Sequence, residues 1–531
     1  MQVAVGGARG RRGALGSLCL VLLLGGTIRP ADVRAPAPLV APTMRIAPGA
    51  SLPPPALDPD HVSPWSALAP CTSSPLSSGT LAIWQSVPGG PAMVRRPDVP
   101  LTRACGPFDP PPPGGVVACS PIASAIVVDP TRRFQTIAGF GGAFNERGWL
   151  ALLTLSVPAR AGVLRALFDP LHGAGYSLAR APIGASDYAL DAYSLDDRPG
   201  DTTLQGFSIA RDRLWLLPYI QAARAVAPDL ALWASPWSAP AWMKTNGQMV
   251  HGGHLLERDE EAYARYLAAY VEAYAREGEP IVAISVQNEP SQSTRYPSMV
   301  MAPGQMARFV GRYLGPLFAR LGLATRIRIN EEPARGRWRY SLLVIADPRA
   351  RRYIAGSDIH GYHGSPHDLT LLHRADPTLD IWQTEDTHLD HPHFEDRDLT
   401  RWGAEIARDL QNWASGWEYW NMVTDGTGMS SWGWSQDSVV VVDMATGVVR
   451  YTPKYAAMGQ FSRFIRPGAR RLGTSGVPIG VVATAAIDPD GRIVLVVVNA
   501  RATALSTQIA LGATRARLVL PAGAIATLVW T

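Results

Sequence analysis

Two glutamates, Glu289 and Glu385, each stand just beyond a short apolar run of β type. Residues 281–286 lead into Gln287-Asn288-Glu289-Pro290. Residues 379–381 lead into Trp382-Gln383-Thr384-Glu385. Carboxyl groups delivered by the ends of two separate strands suit the cleavage of a bond between sugars. One can protonate the leaving oxygen while the other meets the positive charge that develops at the sugar carbon. Other chemistry-bearing residues point elsewhere. His388, His391 and His393, with Asp390 and Glu395, fall in one polar loop, where histidines commonly hold no ligand, and no metal site is expected there. Lys244 lies in Trp242-Met243-Lys244 with no neighbour in sequence that would desolvate it, so a structural role is expected.

The elements around these residues alternate between strand-like and helix-like runs from about residue 121, the pattern of a parallel α/β architecture. Ala125–Asp129 reads as one strand. Residues 134–144 read as another, ending in glycines. In the stretch after Asp259, Tyr263, Tyr266, Leu267, Tyr270, Val271 and Tyr274 recur at helical spacing and form a core-facing stripe. Asp259 suits the start of that helix and Gly278 its end. Other strand-like runs also end in polar or aromatic residues: Tyr176–Ile183 before Asp187, Leu230–Ala234 before Trp237, Asp358-Ile359 before His360 and Tyr362, and Gly416–Asn421. In a (β/α)8 barrel such ends converge on one rim. From residue 439 helix signals fade and short β runs dominate, which reads as a β-sandwich that the early strand Ile126–Asp129 joins.

The chain has 531 residues, 47% of them apolar and 18% charged, so it is globular and longer than one ordinary domain. Arg9, Arg11 and Arg12 precede an apolar stretch, Ala14–Gly26, too short to span a bilayer comfortably. Residues 1–35 are therefore expected to be a cleaved export signal and the protein to be secreted, with no membrane-spanning segment left. Their removal takes five arginines and one aspartate, and lowers the formal charge from +5 to +1. That near-neutral balance gives no reason to expect nucleic acid as a partner. Residues 36–120, rich in Pro, Ser and Gly, read as a spacer or small accessory segment. Residues 121–438 read as the barrel and 439–531 as the sandwich. A bridge between Cys105 and Cys119 would close a short loop in an exported protein.

Several blocks in one order resemble the glucocerebrosidase-like glycoside hydrolases, family thirty. They are Phe134-Gln135 with Gly139–Ala143, Arg180–Asp187, Asp196-Asp197, Ser235–Asn246, Gln287–Pro290, Trp420-Asn421 and Phe461–Gly468. The resemblance implies a (β/α)8 TIM barrel with an attached β-sandwich, no cofactor, and retention of anomeric configuration. It implies that Glu289, after the fourth strand, is the acid/base and that Glu385, after the seventh, is the nucleophile. Asp187, Trp237, Asn288, His360, Tyr362 and Trp420 would line the subsite for the cleaved sugar, with Arg180 beneath the carboxylates. The chain departs from the family pattern at His360-Gly361-Tyr362, where the family has His-Trp-Tyr. Tyr188 stands where Phe is usual, and 424–432 is a looser form of a glycine-rich loop. The expected substrate is a carbohydrate or glycolipid with a β-glucosidic bond, either glucosylceramide-like or a β-1,6-glucan. A β-xyloside or β-fucoside, or a non-catalytic carbohydrate-binding role, are the alternatives.

Overall fold

The computed structural model describes residues 80–103, 125–388, 395 and 397–530. The expected export signal at 1–35, the cysteines Cys105 and Cys119, and Asp390, His391 and His393 lie outside the described residues. Four strands precede the barrel: β1 (Thr80–Ser86), β2 (Val94–Pro100), β3 (Thr102–Arg103) and β4 (Ala125–Thr136). Eight parallel strands then close on themselves: β5 (Gly139–Ala143), β6 (Leu178–Pro182), β7 (Ala231–Ser235), β8 (Ile281–Ser285), β9 (Arg326–Ala334), β10 (Ile354–His363), β11 (Asp380–Glu385) and β12 (Ala414–Asn421). A small three-stranded sheet follows, of β13 (Val423–Asp425), β14 (Val440–Val442) and β15 (Val449–Tyr451). The chain ends with β16 (Arg470–Ser475), β17 (Val481–Ile487), β18 (Ile493–Asn499), β19 (Leu505–Leu511), β20 (Thr514–Leu520) and β21 (Ile525–Trp530).

The fold is thus a (β/α)8 barrel with a β-sandwich, but two boundaries differ from the sequence reading. Part of the supposed spacer, residues 80–103, belongs to the sandwich. The ten-stranded sheet runs β2-β1-β21-β18-β17-β16-β4-β19-β20-β3. Leu81 and Ile83 of β1 sit in the sandwich core, and Trp84 packs on Phe464 with ring centroids 4.8 Å apart. The expected border at residue 439 also moves. β14 pairs with β13 and β15, and the helix Pro453–Ser462 packs against the barrel, so the C-terminal sandwich strands begin at Arg470. The run 134–144 is not one strand either. It divides at Ile137-Ala138 between β4 of the sandwich and β5 of the barrel.

Period-two alternation explains how the domains join. On β18, Val494, Val496 and Val498 face the barrel core while Leu495 and Val497 face the sandwich core. Both sheet faces are therefore covered, so β18 reads as an unbroken apolar run. The helix Glu260–Arg276 carries the anticipated stripe, with Tyr263, Tyr266, Leu267, Tyr270 and Tyr274 fully buried. Gly278 takes φ 84° just beyond its end. Asp259 does not cap this helix through its side chain, because it closes a short 3-10 turn, Glu257–Asp259, that runs straight into it. Among the described residues, no helix is long and apolar enough to cross a membrane.

Inside the barrel floor, Trp233 and Trp382 meet edge to face at 5.9 Å. The Arg328 guanidinium stacks 3.7 Å from the Trp382 ring and pairs with Asp358 at 2.6 Å. This filling places a rigid platform directly below the strand ends.

Candidate active site

The C-terminal ends of the barrel strands bring together all nine residues singled out from the sequence. Glu385 closes β11, the seventh barrel strand. Glu289 follows β8, the fourth, with φ 44°. That left-handed backbone, in a residue followed by proline, costs about 1–3 kcal/mol. Surrounding bonds hold it: the Glu289 amide donates to the Glu331 carbonyl at 3.1 Å and the Asn288 amide to the Pro236 carbonyl at 2.9 Å.

A carboxylate oxygen of Glu289, one of Glu385 and a ring nitrogen of His360 all lie within 4.8 Å of one another. His360 Nδ1 is 3.3 Å from Glu289 and 3.7 Å from Glu385. A register shift between Ile359 and His360 sets His360 opposite Glu385 across β10 and β11, a common use of a bulge beside a site. Burial opposes a charged imidazole here, but Glu385, Glu289 and Glu331 outweigh it and push His360 up to about 10. These three residues form one buried acid–base cluster. His388 sits with Asp398 and Asp437, and the Lys454 ammonium lies 2.6 and 2.8 Å from those two carboxylates.

Arg180, from β6, is fully buried beneath the pair. It donates to Glu385 at 2.5 Å, to Asn288 Oδ1 at 2.6 Å and to Ser235 Oγ at 2.8 Å. Its guanidinium also lies over Trp237, 4.4 Å from the ring centroid. Burial disfavours its charge, yet Glu331 and Glu385 together hold it above the usual arginine value. Because Asn288 Oδ1 is taken by Arg180, its amide NH2 is left to donate. Tyr362 donates to Glu385 Oε1 at 2.7 Å. Burial, reinforced by Glu385 and Glu289, keeps that hydroxyl protonated.

Asp187 and Trp420 complete the wall. Asp187 is buried, and burial together with the charges of Glu385 and Glu289 raises its carboxyl well above the usual range. Among the described residues, Asp187 Oδ1 and Trp420 Nε1 are buried without a hydrogen-bond partner. One accepts and the other donates, the complement of a ring hydroxyl. Trp237 packs on Trp420 at 5.2 Å, and Tyr188 meets the same indole at 6.3 Å.

Glu331 was missed from the sequence. It is fully buried with φ 59°, 2.7 Å from Arg180 and 3.9 Å from His360 Nε2. The Arg180 contact is an ion pair without hydrogen-bond alignment, so both Glu331 oxygens count as unbonded. A signal was present: Arg326-Ile-Arg-Ile329 alternates and runs into Asn330-Glu331-Glu332-Pro333, much as residues 281–286 run into Asn288-Glu289-Pro290. Lys244 donates to Ser238 Oγ and to the carbonyls of Met249 and Ser298, a structural bracket, but it is buried and desolvation lowers it to about 7, contrary to the expectation that nothing desolvates it.

The glycosyl hydrolase family 30 TIM-barrel domain matches residues 137–465, and that family's beta sandwich domain matches 468–528. The chain belongs to glycosyl hydrolase family 30. This family 30 chain is 28% identical over 398 residues to lysosomal acid glucosylceramidase of Mus musculus, covering 70% of this chain and 76% of that one. It is 31% identical over 399 residues to endo-1,6-beta-D-glucanase neg1 of Aspergillus fumigatus, covering 69% and 78%. The crystal structure of SrfJ from Salmonella typhimurium superposes with a TM-score of 0.78 at 27% identity, covering 85% of this chain and 99% of that one. The protein is a glycoside hydrolase, and its substrate is a carbohydrate or glycolipid.

The charge of His360 has a consequence for stability. Unfolded, the ring takes its proton near 6.5; folded, near 10. Its stabilising contribution is complete below pH 6.5 and disappears as the pH climbs toward 10. Urea denaturation at pH 6, 8 and 10 should show the wild type losing unfolding free energy more steeply than His360→Gln. Equal slopes would mean the buried ring is neutral.

Proposed function

We propose that this family 30 enzyme is a retaining β-glycosidase that cleaves β-glucosidic bonds through a covalent glycosyl-enzyme. The observation that carries this reading is the approach of Glu289 and Glu385 oxygens to within 4.8 Å. Direct attack on the sugar carbon goes with carboxyl groups about 5–5.5 Å apart, whereas an intervening water needs about 6.5–9.5 Å.

Glu385 acts as the nucleophile. Arg180 and Tyr362 hold its oxygens by donating to both, which fixes its aim. Glu289 protonates the leaving oxygen. Once Glu385 has become an ester it no longer carries charge, and Glu289 accepts a proton from the incoming water. The His360 imidazolium stands between the two and offsets their mutual repulsion. The Asn288 amide donates to the sugar 2-hydroxyl, while Asp187 Oδ1 and Trp420 Nε1 satisfy other ring hydroxyls.

The substrate is a β-glucoside, either a β-1,6-linked glucan or a glucosylceramide-like lipid. Both choices rest on the names of similar proteins. Proton NMR of an aryl β-glucoside digest should show the β-anomer of glucose appearing first and the α-anomer only by mutarotation. Initial α-glucose would exclude double displacement. Binding without hydrolysis of glucosides, xylosides or fucosides would favour a carbohydrate-binding role instead.

A further inference from the structure

A polar recess of about 460 Å³ is lined in part by Tyr362, whose hydroxyl donates to Glu385. Its walls include Arg335, Asp386, Arg401, Trp402 and Glu405. The volume lies within the range that bound small molecules occupy, about 300–1,000 Å³. Residue 361, on its wall, has no side chain. A Cβ there would lie 2.0 Å from Asp386 Oδ2 and 2.8 Å from Gln383 Nε2. Where the family pattern has an indole, this chain has a carboxyl group.

Asp386 is only 6% exposed, yet among the described residues no hydrogen bond reaches its carboxyl. Its nearest cation, Arg335, is 3.8 Å away. Arg335 is already committed. It donates to the Gly361 carbonyl at 2.6 Å, to both Asp409 oxygens at 3.0 and 2.9 Å, and to Glu405. Burial pushes Asp386 up to about 8, with Arg335 pulling the other way. A protonated acid both donates and accepts, as a sugar hydroxyl requires.

The charges decide what fits. Arg335 and Arg401 are balanced by Glu405 and Asp409, so a formally charged ligand is not called for. The lining offers almost no aliphatic surface, so a lipid chain gains nothing there. A neutral polyol suits it. We propose that the Gly361–Asp386 recess is a second sugar-binding site, which holds one neutral hexose unit of a glycan whose neighbouring unit is cleaved at Glu289 and Glu385. This rests on the glycosidase reading above and turns its substrate toward an oligomeric β-glucan.

The test compares β-1,6-linked glucotriose with 4-nitrophenyl β-glucoside, which has no second hexose. In Arg401→Ala and Asp386→Leu, kcat/KM for the trisaccharide should fall about tenfold more than for the aryl glucoside. Parallel falls on both substrates, or no fall on either, would overturn the proposal. Turnover of the aryl glucoside by the wild type separately tests the glycosidase reading. Calorimetric titration of the trisaccharide into Glu289→Gln, with and without Arg401→Ala, decides the recess even where turnover is undetectable. A weaker Kd supports it, and an unchanged Kd overturns it.

Discussion

Glu385→Gly should lose about ten-thousand-fold or more of its turnover on an aryl β-glucoside, and azide should restore a measurable part of it. Removing the nucleophile's carboxylate leaves a gap beside the sugar carbon, and a small anion can attack from the face that Glu385 occupied. The product is then the α-glucosyl azide. Glu289→Ala should lose about a hundred- to ten-thousand-fold with a poor leaving group. Its nucleophile survives, so the glycosyl-enzyme still forms, and azide attacking that ester gives the β-glucosyl azide. Opposite anomers from the two variants distinguish the roles. The same anomer from both, or no rescue of either, would break the assignment of Glu385 and Glu289. His360, placed 3.3 Å from Glu289 and 3.7 Å from Glu385, cannot replace Glu385, since a protonated ring has no lone pair with which to attack carbon.

Arg180→Met should have the largest effect on stability. The guanidinium is fully buried and lies between Glu331 at 2.7 Å and Glu385 at 2.5 Å. Removing one partner from a buried ion pair costs about 3–5 kcal/mol, because the buried charges left behind lose their nearest counter-ion. Chemical denaturation at neutral pH should register that loss. Replacing Glu331 as well should recover much of it: Arg180→Met/Glu331→Leu should be more stable than Arg180→Met, although its turnover stays low. Additive losses in the double variant would show that Glu331 and Arg180 act independently. The backbone at Glu331 sharpens this expectation. Its φ of 59° is one of several left-handed values at the rim, with Glu289 at 44° and Asn330 at 85°. Such strain persists where neighbouring contacts over-determine it.

The site was legible because its parts sit at strand ends, and strand ends carry local signals. Short apolar runs before Asn288-Glu289-Pro290 and before Gln383-Thr384-Glu385 marked both carboxylates. The same logic applied to Arg326–Pro333 would have yielded Glu331. The Pro- and Ser-rich neighbourhood concealed β1. Leu81 and Ile83 alternate with Ala82 and Trp84 as a strand should, but their pairing partner β21 lies more than four hundred residues away, and composition carries no record of such contacts. The border between domains was misplaced for a related reason. Residues 438–443 are β-like, and only their pairing with β13 and β15 assigns them to the barrel side.

Residue types in order were enough to specify the barrel, the paired carboxylates and the residues gathered around them, because each depends on periodicity and motif within a few residues. Distances between strands lay beyond that reach. The approach of Glu289 and Glu385 oxygens to within 4.8 Å, the cation shared by Glu331 and Glu385, and the carboxyl of Asp386 lodged where residue 361 lacks a side chain all arise from chain closure. They join segments tens to hundreds of residues apart, and only packing sets how far apart their atoms come to rest.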